Sequence, residues 1–396
     1  MRSPLRDVRA TRASLRRGAI AGIVCCVAPL VLACSKPTAL PAVEHHEVSL
    51  PAAGTVGDAS PPEPTLTAAA TPSFCAQWEA GGLRCLLPES RRQSDMDALR
   101  NVTQTTLVEL DIQHGRECGS LTDFSALSTL PRLKALSIPT ECMARLLATA
   151  HLERLEELEI ACGDGTGVDM AAVATLSHLK KLSFRYDGCK RGADGLAPLG
   201  ALSELEELDD SYDDGLTGIA ALARLKRLSV SAHDITALSG VSWLEVLQLE
   251  TSATDYRPLR GLTELRELTV QTASAGFDPT TLSGMHRLET LDLRGCPGIK
   301  DLTGLSSLKT LRSLELDVEQ ARSIAPLVTL GGLRKLSLSA GCPGTTVDLS
   351  PIKSLTRLEE LVVPAGHASE IEGLQRALPR ATIILEPSPH HCSGRR

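Results

Sequence analysis

The chain is poor in aromatic side chains: two tryptophans, three tyrosines and four phenylalanines make up 2% of its 396 residues. A core built from it has to be packed with aliphatic side chains, and a hydrophobic content of 42% leaves enough of them. Asparagine is nearly missing, with Asn101 alone. There is no H-E-x-x-H, no G-x-S-x-G and no phosphate-binding P-loop, so the spacings that build zinc-peptidase, serine-hydrolase and nucleotide sites are absent. No two cysteines stand in C-x-x-C spacing, which excludes the common structural zinc sites. Nor is there a basic excess. The formal charge is −7, whereas nucleic-acid phosphates demand clustered Lys and Arg.

The apolar run at residues 18–33 holds Pro29 and falls short of the ~20 residues a membrane-spanning helix needs. Arg2, Arg6, Arg9, Arg12, Arg16 and Arg17 precede it and Ala33 closes it, which is the order of a secretion signal. The junction "LVLACSKP" resembles the lipobox of bacterial lipoproteins. That resemblance implies cleavage after Ala33 and diacylglycerol attachment at Cys34, with ordinary secretion as the alternative. Ser35 follows where an aspartate would retain such a protein in the inner membrane, so the implied destination is the outer membrane, otherwise the periplasm or the medium. Loss of residues 1–33 removes six arginines and Asp7 and takes the net charge from −7 to −12. Residues 34–72 are rich in Pro, Ala and Thr without a sustained apolar period and read as a tether, with His45 and His46 as solvated polar residues.

From Leu107 onward Leu-x-x-Leu-x-apolar recurs, with first leucines at 107, 133, 155, 179, 205, 225, 244, 265, 288, 311, 333 and 358. The spacings, 19 to 26 residues, are those of a solenoid repeat. Side chains alternate along a strand, so offsets 0, +3 and +5 point inward and the residues between them face out. Before most strands the apolar positions step by three, as in Leu196, Leu199, Leu202 and Leu205, which fits a 3₁₀ turn better than an α-helix. Pro198, Pro258, Pro326 and Pro351 suit the starts of such turns. No repeat buries its own face, so each leans on its neighbours.

The pattern resembles the leucine-rich repeat family, closest to the short-repeat class that includes the bacterial internalins, with "HDITALSGVSWLEVLQL" at 233–249 as the best local match. The resemblance implies an α/β solenoid: an arc of about 12–13 repeats over 105–386, with short parallel strands on the concave face and 3₁₀-like turns or loops on the convex one. "LPRATI" from Leu378 is read as a weak thirteenth copy. The chain departs from the family at offset +8, where the usual asparagine is replaced throughout; His233, Cys296 and Glu319 are examples. Residues 73–104 form an N-terminal cap and 387–396 a tail.

In an oxidising compartment the cysteines are disulfide candidates. Cys75 and Cys85 flank a short hairpin and would staple the cap over the first repeat. Cys118, Cys142, Cys162 and Cys189 fall at offsets +11, +9, +7 and +10 of repeats one to four. Neighbouring strands lie ~4.8 Å apart, which puts 118–142 and 162–189 within reach. Cys296 and Cys342 are two repeats apart and should stay free. Cys392, with His390 and His391, reads as a frayed tail rather than a metal site.

Two stretches imitate cofactor sites. "LEELEIACGDGTGVDMAAVATL" runs strand, glycine-rich loop, helix, but its glycines at 163, 165 and 167 miss the dinucleotide spacing. "DDSYDDG" carries Ala221 where a calcium loop needs its closing glutamate. What remains is surface recognition. Offsets +2, +4 and +6 put twelve acids on the concave face against five bases, Lys181, Arg185, Arg227, Arg294 and Lys335. Repeats four to six form the candidate patch, with Lys181, Arg185, Glu207, Asp209 and Arg227 as charged contacts and Tyr186, Tyr212 and His233 on its rim. The alternative for these charges is cross-strand pairing that only stabilises the sheet. Asp210 stands where every sister repeat has an apolar residue. Either its strand ends early and the carboxylate reaches water together with Asp213 and Asp214, or it meets a cation.

The expectation is a non-enzymatic protein without cofactor, metal or nucleic acid, docking an unidentified protein partner on the concave face and touching a membrane only through Cys34. A structural or adhesive envelope component meeting glycan or a neighbouring surface is the alternative.

Overall fold

The computed structural model describes residues 72–386 except 78–82, 89–91, 103–106, 113–117, 164–166, 186–188, 192–193, 211–214, 273–275, 297 and 341–346. Among the described residues fifteen strands form one sheet in strict chain order. Cys75–Gln77 and Leu83–Leu86 pair antiparallel as the cap, and every later pairing is parallel. The fourth-position leucines align across the sheet: Leu158, Leu182, Leu208, Leu228 and Leu247 occupy one register row. With the first-position leucines from Leu133 onward they are nearly inaccessible, Leu205 at 1% and Leu208 at 0%. Each such side chain contributes at most ~1.5–3 kcal/mol of apolar burial. These rows, rather than aromatics, make the core.

Opposite the sheet the chain turns through 3₁₀ segments such as Ala197–Ala201, Thr236–Gly240, Arg257–Gly261 and Ala325–Thr329. Pro198, Pro258, Pro326 and Pro351 open their turns. Repeat two differs. Its segment Thr140–Thr149 is a full α-helix, because "TECMARLLAT" is rich in helix formers, lacks glycine and proline, and buries Cys142, Met143 and Leu146 on one side.

Two kinds of hydrogen bond order the loops of a chain that lacks the offset +8 asparagine. At several turn entries an aspartate accepts from the second residue on: the Thr236 N–H donates to Asp234 (2.8 Å), the Arg257 N–H to Asp255 (3.0 Å), the Thr303 N–H to Asp301 (2.9 Å) and the Ser350 N–H to Asp348 (2.9 Å). Elsewhere short side chains reach the neighbouring strand's carbonyls. Thr140 donates to Ala161 (3.1 Å), Thr251 to Ala232 (2.5 Å) and Cys296 to Val270 (3.2 Å). Thr140 and Thr251 stand at offset +7, one residue earlier than the family's asparagine.

A charge ladder runs along offset +1. Lys134 and Lys180 share Glu156 (2.7 and 3.0 Å), Lys226 meets Glu206 (3.1 Å), Arg266 meets Glu289 (2.8 Å), and Arg334 pairs with Glu359. Exposed pairs of this kind each contribute little to stability. Cys75–Cys85, Cys118–Cys142 and Cys162–Cys189 are disulfides, and Cys296 is buried and free.

The final strand corrects the thirteenth copy. Ile383, not Ala381, pairs with Leu361 of the preceding fourth-position row, so the strand Thr382–Glu386 sits two residues later than a count from Leu378 implies. Leu378 instead follows the helix Ile371–Ala377 as its C-cap. The shift brings Glu386 to offset +6, on the concave face.

Candidate functional site

The strands Lys181–Arg185, Glu207–Asp210 and Arg227–Ala232 lie side by side with Lys181, Glu207 and Arg227 in one register row. Lys181 Nζ is 2.8 Å from Glu207 Oε1, and Arg227 Nη1 is 3.8 Å from Glu207 Oε2. Arg185 turns the other way and meets Glu159 Oε2 at 2.6 Å. Four of the five patch charges are thus in ion pairs, Lys181 and Arg227 with Glu207 and Arg185 with Glu159 of repeat three, while Asp209 has no base at ion-pair distance among the described residues. Burial pushes the Asp209 carboxyl up, against the opposing hydrogen bond from the Ser229 hydroxyl. His233 is exposed just beyond its strand, and Tyr186 and Tyr212 lie outside the described residues.

Two depressions flank this row. One, of about 230 Å³, runs from Arg84 to Arg185 over a floor of Ala135, Ser137 and Ser183. Small side chains at offsets +2 and +4 of repeat two leave the space, and Ser137 donates to Glu159 (2.9 Å) at its edge. The other, of about 150 Å³, lies over Ser229, Ser231, Gln248 and Gln271. Glu207 and Asp209 stand between the two.

Asp210 is not solvated. It is 1% exposed, and Arg191 Nη1 donates to its Oδ2 from a side chain only 2% exposed. The cation comes from the loop after the preceding strand. That loop is pinned at its base by the Cys162–Cys189 bridge and by the hydrogen bond from the Val168 N–H to the Lys190 carbonyl (2.9 Å). The strand therefore continues through Asp210, level with Phe184 and Val230, and a buried ion pair fills the place of an apolar contact. Sequence reading poses the question at Asp210 but does not point to Arg191, whose loop keeps no repeat register.

Among the described residues no group of three or more His, Cys, Asp or Glu is placed to hold a metal ion, and no helix is long and apolar enough to cross a membrane. The fold and face define a leucine-rich-repeat solenoid with a charged sheet surface. No protein-family model matches the chain, and no curated protein does. Among solved structures it is similar to an internalin of Listeria monocytogenes, at 20% identity over 77% of this chain and 82% of that one, with a TM-score of 0.48. An internalin C2 from the same organism is 23% identical over 50% of this chain and 92% of its own, with a TM-score of 0.41. A leucine-rich-repeat protein of Leptospira interrogans is 14% identical over 72% and 85%, with a TM-score of 0.42. The functional reading rests on this chain's own residues.

Proposed function

We propose that the chain is a non-enzymatic scaffold of the bacterial envelope that docks another protein on its concave face. In this reading residues 1–33 direct export, Cys34 carries the lipid, 34–72 are the tether, 73–104 cap the stack and 105–386 present the binding face in the outer membrane. The supporting observation is the shape of that face: polar side chains line two depressions either side of Glu207 and Asp209. The structural or adhesive reading draws on a different observation, the mutual pairing of Lys181, Glu207 and Arg227, which stabilises the sheet whether or not a partner binds.

The test compares the full chain with an Arg185→Glu, Asp209→Arg variant as bait for an envelope extract, with matching melting curves as the folding control. One protein retained by the parent and lost by the variant supports docking. Equal retention, or none, favours the structural role.

A further inference from the structure

The concave face is unbalanced in charge, and the imbalance belongs to that face. The corrected register adds Glu386 to its twelve acids, and the cap strand adds Arg84 to its five bases. All six bases are engaged with carboxylates of the same face: Arg84 with Glu109 (3.1 Å), Lys181 and Arg227 with Glu207, Arg185 with Glu159, Arg294 with Asp292 and Glu315 (2.7 and 3.0 Å), and Lys335 with Glu315 and Glu360 (3.6 and 3.4 Å). Glu157, Asp209, Glu250, Glu267, Asp317 and Glu386 are left without a basic side chain at ion-pair distance among the described residues. The offset +1 flank of the same repeats carries five acids against six bases, so the excess is not a general consequence of the chain's acidic composition.

Burial acts on part of this excess. Asp209, Asp317 and Glu386 each have the carboxyl pushed up, with desolvation as the largest cause. Half-buried carboxylates whose nearest bases, Lys181 and Arg185 for Asp209 and Arg294 for Glu386, act only from beyond ion-pair distance are relieved by an incoming positive charge, whereas a neutral or acidic surface would desolvate them further. The field of the summed charges draws a basic partner towards the trough before contact.

Resting on the docking reading above, we infer that the partner presents a cationic, Lys- or Arg-bearing protein segment to the concave face, where its side chains meet the unmatched carboxylates at offsets +2, +4 and +6. Lys181 and Arg185 then act as fixed fence posts that hold neighbouring carboxylates, and the specificity for positive charge comes from the acids between them.

The experiment titrates the full chain with a fluorescent decapeptide of alternating lysine and serine, beside its glutamate–serine counterpart, at low and physiological ionic strength. One variant carries Glu157→Gln, Asp209→Asn, Glu267→Gln and Asp317→Asn. A control of equal charge carries Glu141→Gln, Glu153→Gln, Asp194→Asn and Glu372→Gln, all away from the concave face. The expected result is binding of the lysine peptide alone, weakened by salt, lost about tenfold or more in the concave variant and unchanged within about twofold in the control. Failure of the parent to bind the lysine peptide, equal loss in the two variants, or equal binding of the glutamate peptide overturns the inference. If the peptide is refused while the envelope extract still yields one protein sensitive to Arg185→Glu, docking stands and its cationic character falls. If the peptide binds through these carboxylates while the extract yields nothing, the reverse holds.

Discussion

The pair Asp210–Arg191 should behave as a unit whose halves cost more to remove than the whole. Truncating one member of a buried ion pair strands the other charge in a dry site and typically costs ~3–5 kcal/mol, whereas replacing both with apolar residues of similar volume is near neutral or stabilising. Asp210→Leu restores the repeat consensus, sets a leucine between Phe184 and Val230 and recovers ~1.5–3 kcal/mol by burial. It also leaves Arg191 inside without its carboxylate. The net expectation is a loss of roughly 2 kcal/mol, so a substitution towards the consensus destabilises. Arg191→Met alone should lose ~3–5 kcal/mol, and the double variant should return to within about 1 kcal/mol of the parent or exceed it. Urea unfolding followed by circular dichroism on the four proteins gives the coupling energy of the cycle. Additive single effects, or an Asp210→Leu protein as stable as the double variant, would refute the reasoning.

Other outcomes follow from the same structure. Gly218 has φ 86°, and a Cβ there would lie 2.3 Å from the Ala197 nitrogen, so Gly218→Ala should cost more than the usual ~1 kcal/mol and lower the urea midpoint. Burial pushes the Cys296 thiol up to about 12, so iodoacetamide should label it only after unfolding, and rapid labelling of the folded protein would contradict its placement. The Asp255 carboxyl is held at about 2, first by the Arg257 side chain and then by the Arg257 N–H. A depressed carboxylate contributes stability above its unfolded value near 4 and loses it as pH falls through the folded value. The melting temperature of Asp255→Asn should therefore trail the parent at pH 6, with the gap narrowing towards pH 2; a constant gap would speak against the assignment.

Much of this was legible in the leucines alone. Their spacing placed the strands, and their offsets brought Cys118 to Cys142 and Cys162 to Cys189, because a repeat turns sequence distance into a near-constant spatial step. Where the step fails, sequence reading fails with it. Arg191 sits in a loop that keeps no repeat register, so nothing in the pattern linked it to Asp210. Leu378 carries the right residue at the wrong place, since it ends a helix instead of opening a strand, and the true register needed the pairing of Ile383 with Leu361. The offset +1 charge ladder was visible in the sequence throughout, but its meaning depends on knowing that successive repeats set those residues side by side. On the concave face the acids were countable, while which of them lack a base required distances.

The central claim is that a partner meets the concave face, and photo-crosslinking tests it most directly. A photoreactive residue is placed at Ser229 or Gln248 on the sheet, and at Ser239 or Lys353 on the opposite turns, each in the full chain exposed to envelope extract. The account predicts one adduct of constant mass from Ser229 and Gln248 and none from Ser239 and Lys353. Adducts from the turn positions with none from the sheet would contradict it.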